Sequence, residues 1–315
     1  MEAVPGPVMS RSIIGIDLGG TRTKAGVVTP DGELLGHFSS PTPARAGREA
    51  LLDQLVQMAR QGIELSRQAG TPARGVGIAT AGWVDRATGR VIYATDNLLG
   101  WTGAPITATV SAAVGLPVAA ENDANAFAIA ERRFGLGRGI DDFVCLTLGT
   151  GLGGGCYVGG RLNRGAHSLA NSIGHISIEH EGLPCNCGGR GCLECYANAA
   201  ALLRYAGEPA FSSAEALIAA AACEPRAREA IRKFAEHLAT GILTLVHLLD
   251  CRLVIVAGGL ASDNPFLFDD LREIAGRRLI GRAYRSVDIR PSELGYFAGV
   301  LGAAAVAFDD LPEIS

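Results

Sequence analysis

The chain has 315 residues, of which 48% are hydrophobic and 42 are glycine, so it is long enough for two compact, turn-rich domains. A net charge of -4 argues against a nucleic-acid-binding surface, and an arginine-rich stretch at 277–290 is expected to be a solvated face. The most apolar region, 241–261, contains charged residues and predicts a helix and a strand, which excludes a membrane span. The first residues lack the features of a signal peptide, and the eight cysteines fit reduced thiols, so we expect a cytoplasmic location.

The first predicted elements, at 13–36, are a buried strand, a glycine turn, a second strand and a hairpin. The glycines allow a close backbone approach to an anion, the threonine offers a hydroxyl, and the aspartate can reach hydrated Mg²⁺. The candidate residues are Asp17, Gly19, Gly20, Thr21 and Lys24. The pattern predicts a phosphate-binding loop, and an ordinary hairpin is the alternative.

A candidate general base follows the strand predicted at 118–121. Asp123 lies where this strand ends and a helix begins, so its carboxylate is held rigidly, as a base that takes a hydroxyl proton must be. The alternative is that Asn122 or Asp123 caps the helix. In an earlier irregular loop, Asn97 could hydrogen-bond a polyol. Three predicted elements come before: a helix at 47–69, a strand at 75–79 and a hairpin at 84–92.

The opening pattern then recurs at 142–162, where Gly149, Thr150 and Gly151 echo the first loop. This indicates an internal duplication, with two phosphate loops that form one nucleotide site across a cleft between similar domains. Further along, a strand at 253–256 leads into a turn of small residues that would admit an adenine or a ribose, or is an ordinary strand-to-helix turn. The turn contains Gly258 and Gly259.

Closely spaced thiols at 183–196 predict a metal site. The four candidate ligands are His175, Cys185, Cys187 and Cys192. A Cys3His shell is closed, so the metal would be a structural zinc that holds Glu194 and the ligating histidine in place. A reduced thiol cluster without metal is the alternative, and Cys195 and His180 are spare donors.

Together these motifs resemble the ROK group of the sugar kinase, Hsp70 and actin superfamily, from residue 13 to about 308. The matching motifs are DLGGTRTKAG (17–26), ENDANAFA (121–128), LTLGTGLGGG (146–155), IGHISI (173–178), CNCGGRGCLE (185–194) and AGGLAS (257–262). The resemblance implies an α/β fold of two ribonuclease-H-like (actin-like ATPase) domains around a cleft. It also implies an ATP-dependent kinase that phosphorylates a hexose, usually at O6. We expect a small domain at 11–121 plus 299–315, and a large domain at 122–298 that contains the zinc loop.

The resemblance also implies roles for individual residues. Asp123 would be the catalytic base, and His175 and the three cysteines would hold zinc. The residues around the sugar would be Gly82, Asn97, Asn122, His175 and Glu194. Ser172 stands where the family usually has a glutamate that accepts hydrogen bonds from the sugar. A charged acceptor is stronger by about 1 kcal/mol or more, so we expect weaker binding of plain glucose, or room for a modified hexose.

The expected partners are therefore a hexose and ATP with Mg²⁺, with no nucleic acid and no membrane, in a homo-oligomer that is a dimer or a tetramer. Glucose or a related hexose is the leading acceptor, and an amino or N-acetylated hexose is the alternative. A non-catalytic sugar sensor or a sugar-responsive regulator is the rival from another class, although the twelve residues before Ile13 are too few for a helix-turn-helix.

Overall fold

The computed structural model describes residues 11–311. The prediction that the chain starts without a signal peptide falls on residues 1–10 and lies outside the described residues. The described chain forms two compact units. The first comprises the residues up to Phe134 and those from Leu294 onward, and the second is Gly135–Glu293.

The first unit is built on a five-stranded sheet with the order β3-β2-β1-β4-β7 and a separate hairpin of β5 and β6. Its strands are β1 (Ser12–Leu18), β2 (Arg22–Val28), β3 (Leu34–Pro41), β4 (Ala73–Thr80), β5 (Trp83–Asp85), β6 (Arg90–Tyr93) and β7 (Val118–Asn122). Its helices are α1 (Arg48–Gln68), α2 (Ile106–Val114), α3 (Asp123–Phe134) and α8 (Ala298–Asp310). β1, β2 and β3 pair antiparallel, whereas β4 and β7 extend the sheet in parallel from β1.

Helix α8 lies close to the sheet because glycines face it. A Cβ atom at Gly15 or Gly77 would overlap backbone carbonyls of α8, and one at Gly302 would lie 2.6 Å from the carbonyl oxygen of Ala126 in α3. Only residues without a side chain permit this approach. Because α3 packs on α8, the first unit extends to Phe134, beyond the domain boundary that we expected after residue 121.

The second unit repeats the arrangement of the first. Its strands are β8 (Phe143–Leu148), β9 (Leu152–Val158), β10 (Arg161–Leu162), β11 (Leu253–Ala257) and β12 (Asp288–Pro291), in the order β10-β9-β8-β11-β12. The helices are α4 (Ala199–Ala206), α5 (Ala214–Ala220), α6 (Pro225–Leu249) and α7 (Pro265–Arg278). β8, β9 and β10 pair antiparallel, and β11 and β12 continue in parallel from β8. The two sheets share their order and strand directions, as the duplicated sequence pattern predicted.

The core of the second unit is centred on α6, whose buried side chains recur at helical spacing. The neighbouring α7 is held to it by a buried carboxylate: Asp270 accepts hydrogen bonds from Arg228 at 2.6 and 2.7 Å and from Arg232 at 2.8 Å. A buried charge requires such partners, so these contacts fix the register of the two helices.

The arginine-rich stretch is solvated, as predicted, and several of its members form surface ion pairs. Arg277 pairs with Glu273, and Arg285 with Asp250. Among the described residues, no helix is long and apolar enough to cross a membrane. The helix α2 was not predicted.

Candidate active site

The first predicted phosphate loop is the turn that joins β1 and β2, where Asp17 pairs with Lys24 in the antiparallel register. Thr42 anchors the backbone of this loop through two hydrogen bonds. Its hydroxyl donates to the carbonyl of Gly19 at 2.7 Å, and its N-H donates to the carbonyl of Thr21 at 2.9 Å. Gly20 and Thr21 are exposed. The loop is therefore held in place while its outer surface stays open to a ligand.

Lys24 is held against an aromatic residue. Its Nζ atom lies 3.8 Å from the centre of the Tyr296 ring and donates to the Tyr296 carbonyl at 3.3 Å. The ammonium group also lowers the pKa of Asp17, although burial has the larger effect and raises it. A Cβ atom at Gly299 would overlap the carboxylate of Asp17, so the start of α8 lies directly against this group.

Asp123 is the first residue of α3, directly after β7, as predicted. Asn122 caps the helix α3, because its side-chain oxygen accepts from the N-H groups of Ala124 at 3.0 Å and Asn125 at 3.1 Å. Asp123 accepts at Oδ1 from the N-H of Ala124 at 2.8 Å and from the Asn122 amide at 3.0 Å. These bonds orient the carboxylate through its Oδ1 atom.

The environment of Asp123 tunes its acidity. The Asp123 side chain is accessible to solvent, yet many protein atoms lie around its carboxylate and reduce its solvation. This desolvation, followed by the negative charge of Asp17, raises the pKa of Asp123 to about 6, against the lowering effect of its hydrogen bonds. A carboxylate with a pKa near neutrality is suited to accept a proton from a hydroxyl.

Two further predicted sugar contacts belong to the first unit. The carbonyl of Gly82, which has φ +93°, accepts from the Asn122 amide at 2.9 Å, so that amide is fully used within the protein. Asn97 is exposed on a loop whose neighbours Leu98 and Trp101 are buried. The buried anchors hold the loop and leave the Asn97 side chain at the surface.

The second predicted phosphate loop joins β8 and β9. The N-H of Gly149 donates to the Gly151 carbonyl at 3.0 Å, and the Gly149 carbonyl accepts from Ala199 at the start of α4, also at 3.0 Å. Thr150 is exposed at the tip. Glu194 supports the other side of the loop, where its Oε2 atom accepts from the N-H of Leu152 at 2.9 Å. The structure thus places Glu194 against this loop.

Ser172 precedes a short 3-10 helix, Ile173–His175, that lies beside the same loop and ends with His175. Gly174 allows this approach, because a Cβ atom there would overlap the Leu152 carbonyl. The Ser172 hydroxyl donates to the carbonyl of Leu169 at 3.1 Å. His175 directs Nδ1 toward Cys185, which leaves Nε2 available to a ligand.

The predicted metal ligands converge. The ligand atoms of His175 and the three cysteines all lie within 4.8 Å of one another. The Cys187 and Cys192 sulfurs are 3.6 Å apart, as are the Cys185 sulfur and His175 Nδ1. A tetrahedral zinc with ordinary bond lengths requires ligand separations of about 3.6 to 3.8 Å, which these two pairs match, and the Cys3His donor set is one that zinc prefers.

Glycines shape the loop that carries these thiols. Gly188 and Gly191 have φ angles of +88° and +70°, as required for the chain to turn twice between the ligands. Within the described chain, Cys195 and His180 are not part of the four-ligand group. Burial, followed by the neighbouring thiols, raises the pKa of Cys192 to about 12, and a bound cation would reverse this effect.

The turn after β11 lies against the second phosphate loop. Gly258 has φ +98°, and a Cβ atom there would overlap the backbone of Leu148, the residue before Gly149. Gly258 and Gly259 are both exposed. This small-residue turn therefore offers a surface next to the loop, as expected for a nucleotide site.

Sequence reasoning missed residues that support the site through hydrogen bonds. Thr42 is one, and Gln54 is another, since its Oε1 atom accepts from the Thr23 hydroxyl at 2.9 Å behind the first loop. The buried Glu121 is a third, because its carboxylate accepts from the Asn122 N-H and the Asn125 amide at the start of α3. Thr42 and Gln54 belong to none of the motifs, so no local signal marks them, whereas Glu121 lies in the motif ENDANAFA without an assigned role.

The two units have sheets of the same strand order, each with an open glycine loop, and the first unit also holds Asp123, a carboxylate with a raised pKa. These features define a phosphotransferase of the actin-like ATPase fold. The chain belongs to the ROK family, whose family model matches residues 13–310.

Known proteins of this family resemble the chain over nearly its whole length. A glucokinase from Streptomyces coelicolor is 38% identical, with 95% of this chain and 98% of that protein covered. A ROK family glucokinase from Streptomyces griseus, solved in complex with glucose and AMPPNP, is 36% identical with a TM-score of 0.80 over 93% of this chain and 98% of that one. A ROK hexokinase from Thermus thermophilus is 33% identical with a TM-score of 0.81, over 96% and 99%.

Proposed function

We propose that this protein transfers the γ-phosphoryl group of ATP to a hydroxyl of glucose or a closely related hexose, with Asp123 as the general base. It is an ATP-dependent sugar kinase of the hexokinase type. The observation that supports the assignment of the base is the position of Asp123 at the end of β7, with Oδ1 fixed by two hydrogen bonds and a pKa raised to about 6.

In the proposed reaction, Asp123 Oδ2 accepts the proton of the acceptor hydroxyl as the sugar oxygen bonds to the γ-phosphorus. The bond from that phosphorus to the bridging oxygen breaks, and ADP leaves with the electron pair. The loops at Gly19 to Thr21 and Gly149 to Gly151 donate backbone N-H groups to phosphate oxygens. Asp17 would hold hydrated Mg²⁺, which supplies charge neutralisation on the phosphates when bound.

The remaining site residues have supporting roles in this proposal. Asn122 orients Asp123 through its amide, and any contact with the sugar shares that amide. Lys24 supplies positive charge near Asp17, and Gly258 and Gly259 receive the nucleoside. The proposed sugar contacts are Gly82, Asn97, Asn122, Ser172, His175 and Glu194. Ser172 is shorter than the glutamate of the family pattern. The space that it leaves supports a hexose with an added substituent, an amino or N-acetylated hexose, as the second candidate acceptor.

The test is ADP release with MgATP against glucose, mannose, fructose, allose, glucosamine, 3-amino-3-deoxyglucose, N-acetylglucosamine and N-acetylmannosamine. We expect efficient turnover of glucose or of one relative, and the Asp123→Asn variant should keep its fold and lose nearly all activity. An Asn variant with wild-type rates would exclude the role of Asp123. Turnover of none of these sugars by wild-type protein would favour the sensor alternative.

We also propose that His175, Cys185, Cys187 and Cys192 hold one structural zinc, which the convergence of these four donors supports. Metal analysis of the purified protein should find about one zinc per chain, and the Cys187→Ala variant should lose it together with part of its thermal stability. The Cys195→Ala variant is the matched control and should retain the metal. We expect a homo-oligomer from the family resemblance and a cytoplasmic location from the sequence, and light scattering of the purified protein tests the former.

A further inference from the structure

A carboxylate that none of the sequence patterns marked lies beside the proposed nucleoside surface. The Oε1 atom of Glu215 is 3.9 Å from the position that a Cβ atom of Gly259 would occupy. Glu215 is on the first turn of α5, whose N-cap residue Ser213 accepts at its side-chain oxygen from the N-H of Ala216 at 3.1 Å. Both Glu215 and Gly259 are exposed, so a ligand can reach the space next to them.

Glu215 belongs to the same part of the second unit as the proposed phosphate loop. The loop Gly149 to Gly151 adjoins Gly258, since Gly258 packs against the backbone of Leu148, and Glu215 lies beside the next residue, Gly259. In a nucleoside triphosphate whose phosphates bind the loop, the ribose is the group next to the phosphates. Because Gly258 and Gly259 are the proposed nucleoside surface, Glu215 is close enough to meet the ribose.

The negative charge of Glu215 limits which part of a nucleotide can bind beside it. A carboxylate repels phosphate oxygens and accepts hydrogen bonds from hydroxyl groups, which suits a ribose diol. Its own backbone N-H and the Ser213 hydroxyl lower the pKa of Glu215, so the side chain stays ionised and oriented.

We propose that Glu215 binds the ribose of the phosphoryl donor by accepting hydrogen bonds from its 2'- and 3'-hydroxyl groups. This inference rests on the proposed function, because it takes the second loop as the phosphate site. It assigns to Glu215 the discrimination between ribonucleotides and deoxyribonucleotides, which the phosphate loops cannot make.

The experiment compares ATP, 2'-deoxy-ATP and 3'-deoxy-ATP as donors at saturating hexose. In the wild type, loss of one hydrogen bond to a charged group should lower kcat/KM about tenfold for each deoxynucleotide. In Glu215→Ala, which removes both hydrogen bonds, kcat/KM for ATP should fall about ten- to a hundredfold through KM for ATP, and the three donors should become nearly equivalent. Glu215→Gln should retain part of the discrimination. Glu229→Ala, which changes an exposed glutamate on α6, is the control and should discriminate like the wild type.

Retention of full discrimination by Glu215→Ala, or equal use of the three donors by the wild type, would overturn the inference while the kinase assignment stands. If the wild type phosphorylates no sugar, the proposed function fails, and the inference is then tested by calorimetric binding of ADP and 2'-deoxy-ADP. Tighter binding of ADP by the wild type that disappears in Glu215→Ala would support it, and equal binding by the wild type would refute it.

Discussion

The pH dependence of turnover is the most direct test of the proposed base. Asp123 must be ionised to take a proton, so kcat/KM should rise with pH through the pKa of this group. With a pKa of about 6, roughly nine tenths of the molecules are active at pH 7 and one tenth at pH 5. We therefore expect kcat/KM for the hexose to fall about tenfold between pH 7 and pH 5. An aspartate with an ordinary pKa would lose almost nothing over this range.

The Asp17→Asn variant separates the two causes of the raised pKa of Asp123. Desolvation is the larger cause and the charge of Asp17 is the second, so removing that charge should move the acid limb to lower pH without restoring an ordinary value. The absolute rate should also fall, because Asp17 is the proposed support for Mg²⁺. The position of the limb is read independently of that loss.

The assay is initial-rate ADP release at constant ionic strength from pH 4.5 to 8, with MgATP saturating. Titration of ATP itself would produce the same limb in both proteins, so a difference between them is assigned to the enzyme. An acid limb near pH 4 in the wild type would contradict the raised pKa. An identical limb in the two proteins would show that Asp17 does not act on the base.

Three substitutions test other parts of the site and the fold. Gly151→Ala places a Cβ atom 2.6 Å from the Glu194 carboxylate and should lower kcat/KM more than tenfold, whereas Gly276→Ala, at an open surface position, should leave the rate unchanged. Asp270→Asn should lower the free energy of unfolding by about 1 to 3 kcal/mol in urea titrations, because charge-assisted hydrogen bonds are lost, with no change in KM. Ser172→Glu should lower KM for glucose about fivefold, and an unchanged KM would place Ser172 outside the sugar site.

The elements that carry the site were predictable because their signals are local. A continuous apolar run interrupted by glycine predicts a buried hairpin with an open turn, and this pattern occurs at both β1-β2 and β8-β9. The convergence of the four candidate metal ligands was likewise predictable, since most of their spacing is set by the loop itself. The position of Asp123 was predictable because it depends only on where β7 ends.

Other features depend on contacts that no local pattern records. The helix α2 has only nine residues, several of them β-branched, and starts after Pro105 without a side-chain cap, so its sequence carries no helix signal. Thr42 reaches the first loop only because β3 ends beside it, and Glu215 reaches Gly259 only through the packing of α5. The first unit extends to Phe134, and not only to the expected residue 121, because α3 packs on α8, which is also a tertiary contact.

The two repeats differ in charge at equivalent places, and this difference is informative about their roles. In the first unit, Asp17 lies near the carboxyl end of β1 and Asp123 follows β7. At the matching positions of the second unit, Thr147 lies near the end of β8, and β11 and β12 end in Ala257 and Pro291. Ligands of open α/β sheets bind at these strand ends. Under the proposed function, the first unit would therefore provide the carboxylates for a cation and a proton, and the uncharged strand ends of the second unit would face the nucleotide.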